Sequence, residues 1–261
     1  MQAAGGQSQA RLRVATLNLW GWFGDWPARR ARLARHWHGV DADVLFVQEA
    51  STRGRHDQIA ETAELLGYEH VVRGACQSDK LGSEGLAILS RLALEGPRVV
   101  DLPASRPTRC LLVATVRAGG APVELATSHT SVRPANLRAR QLDRILGLEA
   151  TPLVVGGDFN AGPDVVAPIA ARHGLIDPLA DHDQPTWPVS RRQFIAAWTV
   201  VTGEAPLFRI RPGRIDYLLH RVLGPHGGVI GGVAVRRLAD RADAGCRGDQ
   251  PAVQQLSLIH I

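Results

Sequence analysis

The stretch Leu153-Val154-Val155-Gly156-Gly157-Asp158-Phe159-Asn160 decides how this chain is read. Its apolar start is short and continuous, as a buried strand requires. It then runs through two glycines into a carboxylate and an amide. A carboxylate at the end of an apolar strand is costly to bury without a cation or a partner. Asp158 and Asn160 therefore mark a candidate site, the competing reading being an ordinary Asx turn before a helix.

Working outward, the same arrangement recurs. Residues 11–19 alternate Leu12, Val14 and Leu17 with polar positions and predict a strand ending near Asn18. Val44 to Val47 is a buried strand that delivers Gln48 and Glu49 at its C-terminal end. Strands are also expected at 68–73, 85–90, 108–117, 123–129, 214–220 and 229–238, with a last one beginning near Ala252. The 123–129 strand ends on His129, and the 214–220 strand carries Asp216. Helices are expected after Asp25 as N-cap, with Leu33, Trp37 and Val40 on one face; around Ile59, Ala63 and Leu66, closed by Gly67; over Arg133 to Leu148; and near 163–173. Many strands with intervening helices, in no strict βαβ alternation, predict an α/β fold: a four-layer sandwich of two packed mixed β-sheets flanked by helices. A single domain is expected over 11–255, after a flexible tail at 1–10.

Acids and amides at strand ends suit metal-assisted phosphoester hydrolysis. That chemistry needs hard oxygen ligands, a group that aligns or deprotonates water, and donors to phosphoryl oxygens. The segments Thr16-Leu17-Asn18-Leu19-Trp20, Val47-Gln48-Glu49, Gly85 to Arg91, Thr127-Ser128-His129-Thr130, Gly156 to Asn160 and Arg214 to Leu219 stand in one order along the chain. Together, from about residue 12 to 253, they resemble the endonuclease/exonuclease/phosphatase superfamily, with its deoxyribonuclease-I-like fold.

The resemblance implies a hydrolase dependent on Mg²⁺ or Mn²⁺, acting on a nucleic acid, a lipid headgroup or a small phosphate ester. It implies Glu49 and Asp249 as metal ligands, with Asn18 orienting metal or phosphate. Asp158 would align or deprotonate water, Asn160 would hydrogen-bond a phosphoryl oxygen, and His129 would donate to the phosphate or protonate the leaving oxygen. Asp216 would orient residue 250. There the chain departs from the pattern: Gly248-Asp249-Gln250 stands where relatives usually have Ser-Asp-His. Gln250 can bridge Asp216 and a phosphoryl oxygen through its amide, but it cannot shuttle a proton, a loss of roughly 10²–10⁴ in rate if turnover relies on that imidazole. A phosphate-binding module that has lost turnover is thus the alternative reading.

Composition adds little about the site. Of the 30 basic residues only Lys80 is lysine, and the net charge is +5 with a pI near 9.8. This suits a polyanionic partner, although an arginine bias of this kind also follows from GC-rich coding. Cys76, Cys110 and Cys246 lack C-x-x-C spacing, which argues against a zinc site or disulfide framework. With no signal-like or membrane-length apolar run, a cytoplasmic, soluble monomer is expected. Trp20, Trp22, Phe23 and Trp26 crowd the loop after the first strand, and packing onto the domain is preferred there over base stacking or lipid contact. Finally, Leu256 to Ile261 can be read from CTG TCT CTT ATA CAC ATC, a transposon end used to tag sequencing libraries. A non-native tail at 256–261 is expected on that ground, against a genuine apolar last strand.

Overall fold

The computed structural model describes residues 12–21, 25–37, 39–53, 55–79, 82–103, 108–150, 152–181, 185–186, 213–221, 233–237 and 256–260. One sheet has the order β1-β2-β5-β4, formed by β1 (Val14–Asn18), β2 (Val44–Arg53), β5 (Gly82–Ser90) and β4 (His70–Asp79), with the short β3 (His56–Asp57) on β2. The other has the order β10-β9-β8-β7-β6, from β10 (Asp216–Arg221), β9 (Leu153–Asp158), β8 (Ala121–His129), β7 (Cys110–Ala118) and β6 (Glu95–Asp101). Both are mixed, because β1 with β2 and β8 with β9 are parallel while the other pairs are antiparallel.

Alternation along the strands makes the layers. Helices α1 (Trp26–Trp37) and α2 (Gln58–Leu66) cover the outer face of the first sheet, burying Leu33, Trp37, Ile59 and Leu66 against Leu17, Leu45, Val47 and Leu89. Helices α3 (Ala135–Leu146) and α4 (Pro163–Arg172) do the same for the second, with Leu142, Ile145 and Val166 against Leu111, Val155 and Tyr217. Between the sheets lies a third apolar layer of Val14, Val44, Phe46, Leu86, Ile88, Leu112, Leu125, Val154 and Leu218. The four-layer sandwich expected from the sequence is the observed fold.

Local signals act as anticipated at the helix ends. Asp25 accepts from the Ala28 N–H at 3.1 Å, and Gly67 closes α2 at φ 72° in the left-handed region. Two expectations change. The strand bearing Glu49 does not end there but continues to Arg53, and β6 was not anticipated. Its sequence Glu95-Gly96-Pro97-Arg98 masks a strand, since proline is accommodated on sheet edges and bulges; β6 is an edge strand, with an irregularity between Glu95 and Arg98.

Near the C-terminus, β11 (Val233–Arg237) and β12 (Leu256–His260) pair in parallel, and β12 lies beside β1. Asp249 and Gln250, like Trp22, Phe23, Trp187 and Cys246, lie outside the described residues. Among the described residues no helix is long and apolar enough to cross a membrane.

Candidate active site

The layer between the sheets turns polar at one end, and that end is the candidate site. Following the inward-facing positions, β1 reads Val14, Thr16, Asn18; β8 reads Leu125, Thr127, His129; and β9 reads Val154, Gly156, Asp158. Strand register then aligns the chemistry: His129 is opposite Asp158, and Asp158 is opposite Asp216. Three neighbouring strands thus hold an imidazole and two carboxyls in one row. Beneath them Gln48, fully buried, donates to the hydroxyls of Thr16 and Thr127, each at 3.0 Å, which ties the two sheets together.

Two glycines bring β9 close enough for this row. A Cβ on Gly157, at φ 136°, would stand 2.0 Å from the Ser128 carbonyl oxygen, and one on Gly156 would stand 2.4 Å from that of Tyr217. No side chain fits either gap.

Glu49 arrives differently. Counted along a regular strand it would fall on the helix-facing side with Leu45 and Val47. Instead β2 has a bulge against β5, where pairing jumps from Val47↔Ala87 to Ala50↔Gly85. Glu49 adopts φ 49° at this point, a left-handed conformation that costs a non-glycine residue about 1–2 kcal/mol. The bulge re-aims its carboxylate inward. The Asn18 amide donates to Glu49 Oε1 and to Asp158 Oδ2, both at 3.0 Å, while its own oxygen accepts from the Trp20 N–H at 2.7 Å. That backbone donor fixes which way the amide points, so Asn18 joins the two acids across the sheets.

His129 Nε2 lies 3.6 Å from Glu49 Oε1 and 3.8 Å from Asp158 Oδ2. One ligand atom from each of Glu49, His129 and Asp158 fits within a 4.8 Å group. Burial, then the nearby Asp216 and Glu49 charges, push the Asp158 carboxyl well above the usual range. Burial and the Arg109 guanidinium push His129 far below its ordinary value. The imidazole is therefore neutral near pH 7. Arg109 Nη1 donates to its Nδ1 at 2.8 Å, which leaves the proton on Nε2, facing the acids.

Asn160, at φ 47°, donates from its side chain to the Thr130 carbonyl at 3.0 Å and from its backbone to Asp158 Oδ1 at 2.9 Å. Thr186 receives the N–H groups of Ile215 and Asp216 at 3.0 and 3.1 Å, fixing the start of β10. Arg214 locks the same corner through a buried pair with Asp177, 2.6 Å to each carboxylate oxygen. Two residues at the site escaped the sequence reading. Arg109 and Glu84 carry no motif of their own, although the Gly85 to Arg91 segment begins immediately after Glu84. Burial and the Glu49 charge raise Glu84 to about 7.

The donors suit a hard divalent cation. The carboxylate oxygens of Glu49 and Asp158 are ligands of that type, His129 stands beside them as an N–H donor, and the electrostatic stress on Asp158 is what a cation would relieve.

Two packed mixed sheets flanked by helices, with acids, an amide and an imidazole converging at one end, define the class of fold. The chain matches the endonuclease/exonuclease/phosphatase family over residues 15–235 and belongs to it. It is similar in structure to an endonuclease/exonuclease/phosphatase from Beutenbergia cavernae (22% identity, TM-score 0.60), covering 86% of this chain and 66% of that one. It also resembles D. rerio TDP2 complexed with a single-strand DNA product (21%, TM-score 0.56, 81% of this chain and 84% of that one). A hairpin-deletion mutant of Staphylococcus aureus beta toxin is similar as well (14%, TM-score 0.61, 93% and 99%). No curated protein matches the sequence. Family membership supports a function of the phosphoester-hydrolase type.

Proposed function

We propose that the protein is a phosphoester hydrolase dependent on Mg²⁺ or Mn²⁺. The observation that carries this reading is the meeting of Glu49, Asp158 and His129 within one 4.8 Å group. Glu49, with Asp249, would hold the cation, which supplies electrostatic stabilisation of charge developing on the phosphoryl group. Asp158 accepts a proton from the attacking water, a role for which its raised affinity for protons suits it. Neutral His129 donates its Nε2–H to a phosphoryl oxygen, and Asn160 offers its second amide hydrogen alongside. Asn18 keeps Glu49 and Asp158 in register while this happens. Asp216 stands opposite Asp158 on the neighbouring strand, and by the family resemblance it would orient Gln250 toward a phosphoryl oxygen.

The test is turnover of bis-nitrophenyl phosphate, plasmid DNA and a sphingomyelin analogue with Mg²⁺ or Mn²⁺. Hydrolysis of at least one, abolished by Glu49→Ala and by Asp158→Ala, is expected. A binding module without turnover is the second reading, motivated by Gln250; it is favoured if ligand binds tightly, nothing turns over, and Gln250→His restores no activity.

A further inference from the structure

The mid-strand bulge at Glu49 needs something to hold it, and the residues that do so come from the two outer helices. On one side the loop after β1 is bonded to the bulge: the Leu19 N–H donates to the Gln48 carbonyl and the Gly21 N–H to the Glu49 carbonyl, each at 2.8 Å. That loop is itself unusual, with Trp20 at φ 57° and Gly21 at φ 50°. From α1, Arg29 donates to the carbonyl of Leu19 and, at 2.8 Å, to that of Gly21. From α2, Gln58 donates to the same Gly21 carbonyl at 2.7 Å, and its amide oxygen accepts the Ser51 N–H at 2.8 Å, just past the bulge. Gln58 is 2% exposed. Two side chains thus grip the loop that grips Glu49, and one of them also grips β2 beyond it.

We propose that Arg29 and Gln58 are positioning residues: they hold the β1 loop and the β2 bulge so that the Glu49 carboxylate points between the sheets rather than toward α1 and α2. The inference concerns how Glu49 is presented and rests, for its effect on a cation, on the reading of the site given above. Left to the strand's own parity, Glu49 would fall on the face of Leu45 and Val47, a layer that is apolar and covered by helices. The left-handed conformation persists only where its surroundings over-determine it. Arg29 and Gln58 supply that determination without touching substrate. Burial pushes the Arg29 guanidinium down to about 10, a shift that the nearby Glu49 and Asp25 charges oppose.

Outer residues that orient a ligand usually change metal affinity by about 10–100-fold when removed. The experiment titrates Mn²⁺ into the full chain, monitored by electron paramagnetic resonance, for wild type, Arg29→Gln, Gln58→Met and a control, Arg221→Gln. Arg221 donates to the carbonyls of Leu148, Ala150 and His173, so it is the same kind of backbone clamp remote from Glu49. Expected is a roughly 10–100-fold weaker Mn²⁺ affinity for Arg29→Gln and Gln58→Met, none for Arg221→Gln, and partial recovery in Arg29→Lys. Affinities within twofold of wild type in both variants, with melting lowered as in the control, would overturn the proposal. A crystal structure of Arg29→Gln decides the matter independently of any metal. Glu49 leaving its left-handed conformation supports the clamp, and an unchanged bulge refutes it. Failure of wild type to bind Mn²⁺ would instead count against the hydrolase reading alone.

Discussion

Asp158 and Glu49 meet at one site, yet they reach it by opposite routes. Asp158 follows the ordinary alternation of β9, two residues beyond Gly156 and four beyond Val154 on the same inward face. Glu49 goes against the alternation of β2 and is turned inward by a bulge. The first placement is local, encoded in Gly-Gly-Asp and enforced by close strand contact. The second is distributed over β1, α1 and α2. A site built from both has one rigid acid and one whose aim depends on residues far away in sequence.

The strongest way to break the rigid half is Gly157→Ala. Its Cβ would overlap the Ser128 carbonyl, and φ 136° is strained for any L-residue, so a loss of roughly 3 kcal/mol or more is expected. Thermal unfolding checks it, and a melting temperature within 2 °C of wild type contradicts the steric argument.

Asp158→Asn tests the same acid through pH. Because the folded state raises the Asp158 pKa, the folded state binds the proton more tightly than the unfolded state. The associated stability is present at acid pH and fades as pH rises from the unfolded carboxyl value toward the raised folded one. Without metal, the asparagine variant should therefore melt above wild type at pH 8 and lose that advantage near pH 4, while hydrolysis falls by a factor of about 10³. Added Mg²⁺ should narrow the gap at pH 8. An identical gap at every pH would sink the electrostatic account.

Glu84→Gln probes the Glu49 side of the site by the same logic and more weakly. With a folded value near 7 against 4.5 for the free side chain, its stabilising protonation is lost between about pH 4.5 and 7. The variant should gain about 1–2 kcal/mol over wild type above pH 7 and nothing near pH 4, measured by denaturant unfolding. The smallest effect concerns the start of α2. Asp57 accepts from the N–H groups of Ile59 and Ala60 at 3.1 and 3.0 Å, just before the clamp residue Gln58. Asp57→Ala should cost about 1 kcal/mol, with hydrogen exchange rising first in α2; uniform exchange would show that the cap is not local.

The comparison also explains what the sequence revealed. Alternation and apolar runs expose any residue that obeys them, which is why Asn18, His129, Asp158 and Asp216 could be placed at the ends of strands before the fold was known. Glu49 is legible as an acid beside an apolar strand, but no sequence pattern shows that the strand runs on past it to Arg53. The bulge depends on Arg29 and Gln58 and leaves no periodic trace. Arg109 and Glu84 were missed for a related reason: each acts through a neighbour on another strand, and single-strand patterns carry no information about cross-strand partners. Gln141 of α3 shows the same limit: it is fully buried, accepting from the Ser131 N–H at 2.8 Å and donating to the Pro103 carbonyl at 3.1 Å, partners that helical periodicity does not reveal.

The proposed hydrolase needs Glu49 to hold a divalent cation beside Asp158, which takes a proton from the attacking water. Mn²⁺ binding to wild type, Glu49→Ala and Asp158→Asn, followed by electron paramagnetic resonance in parallel with bis-nitrophenyl phosphate turnover, tests it most directly. One bound ion is expected in wild type, loss of that ion in Glu49→Ala, and loss of turnover in both variants. Equal Mn²⁺ binding by wild type and Glu49→Ala, or turnover that survives both substitutions, would contradict it.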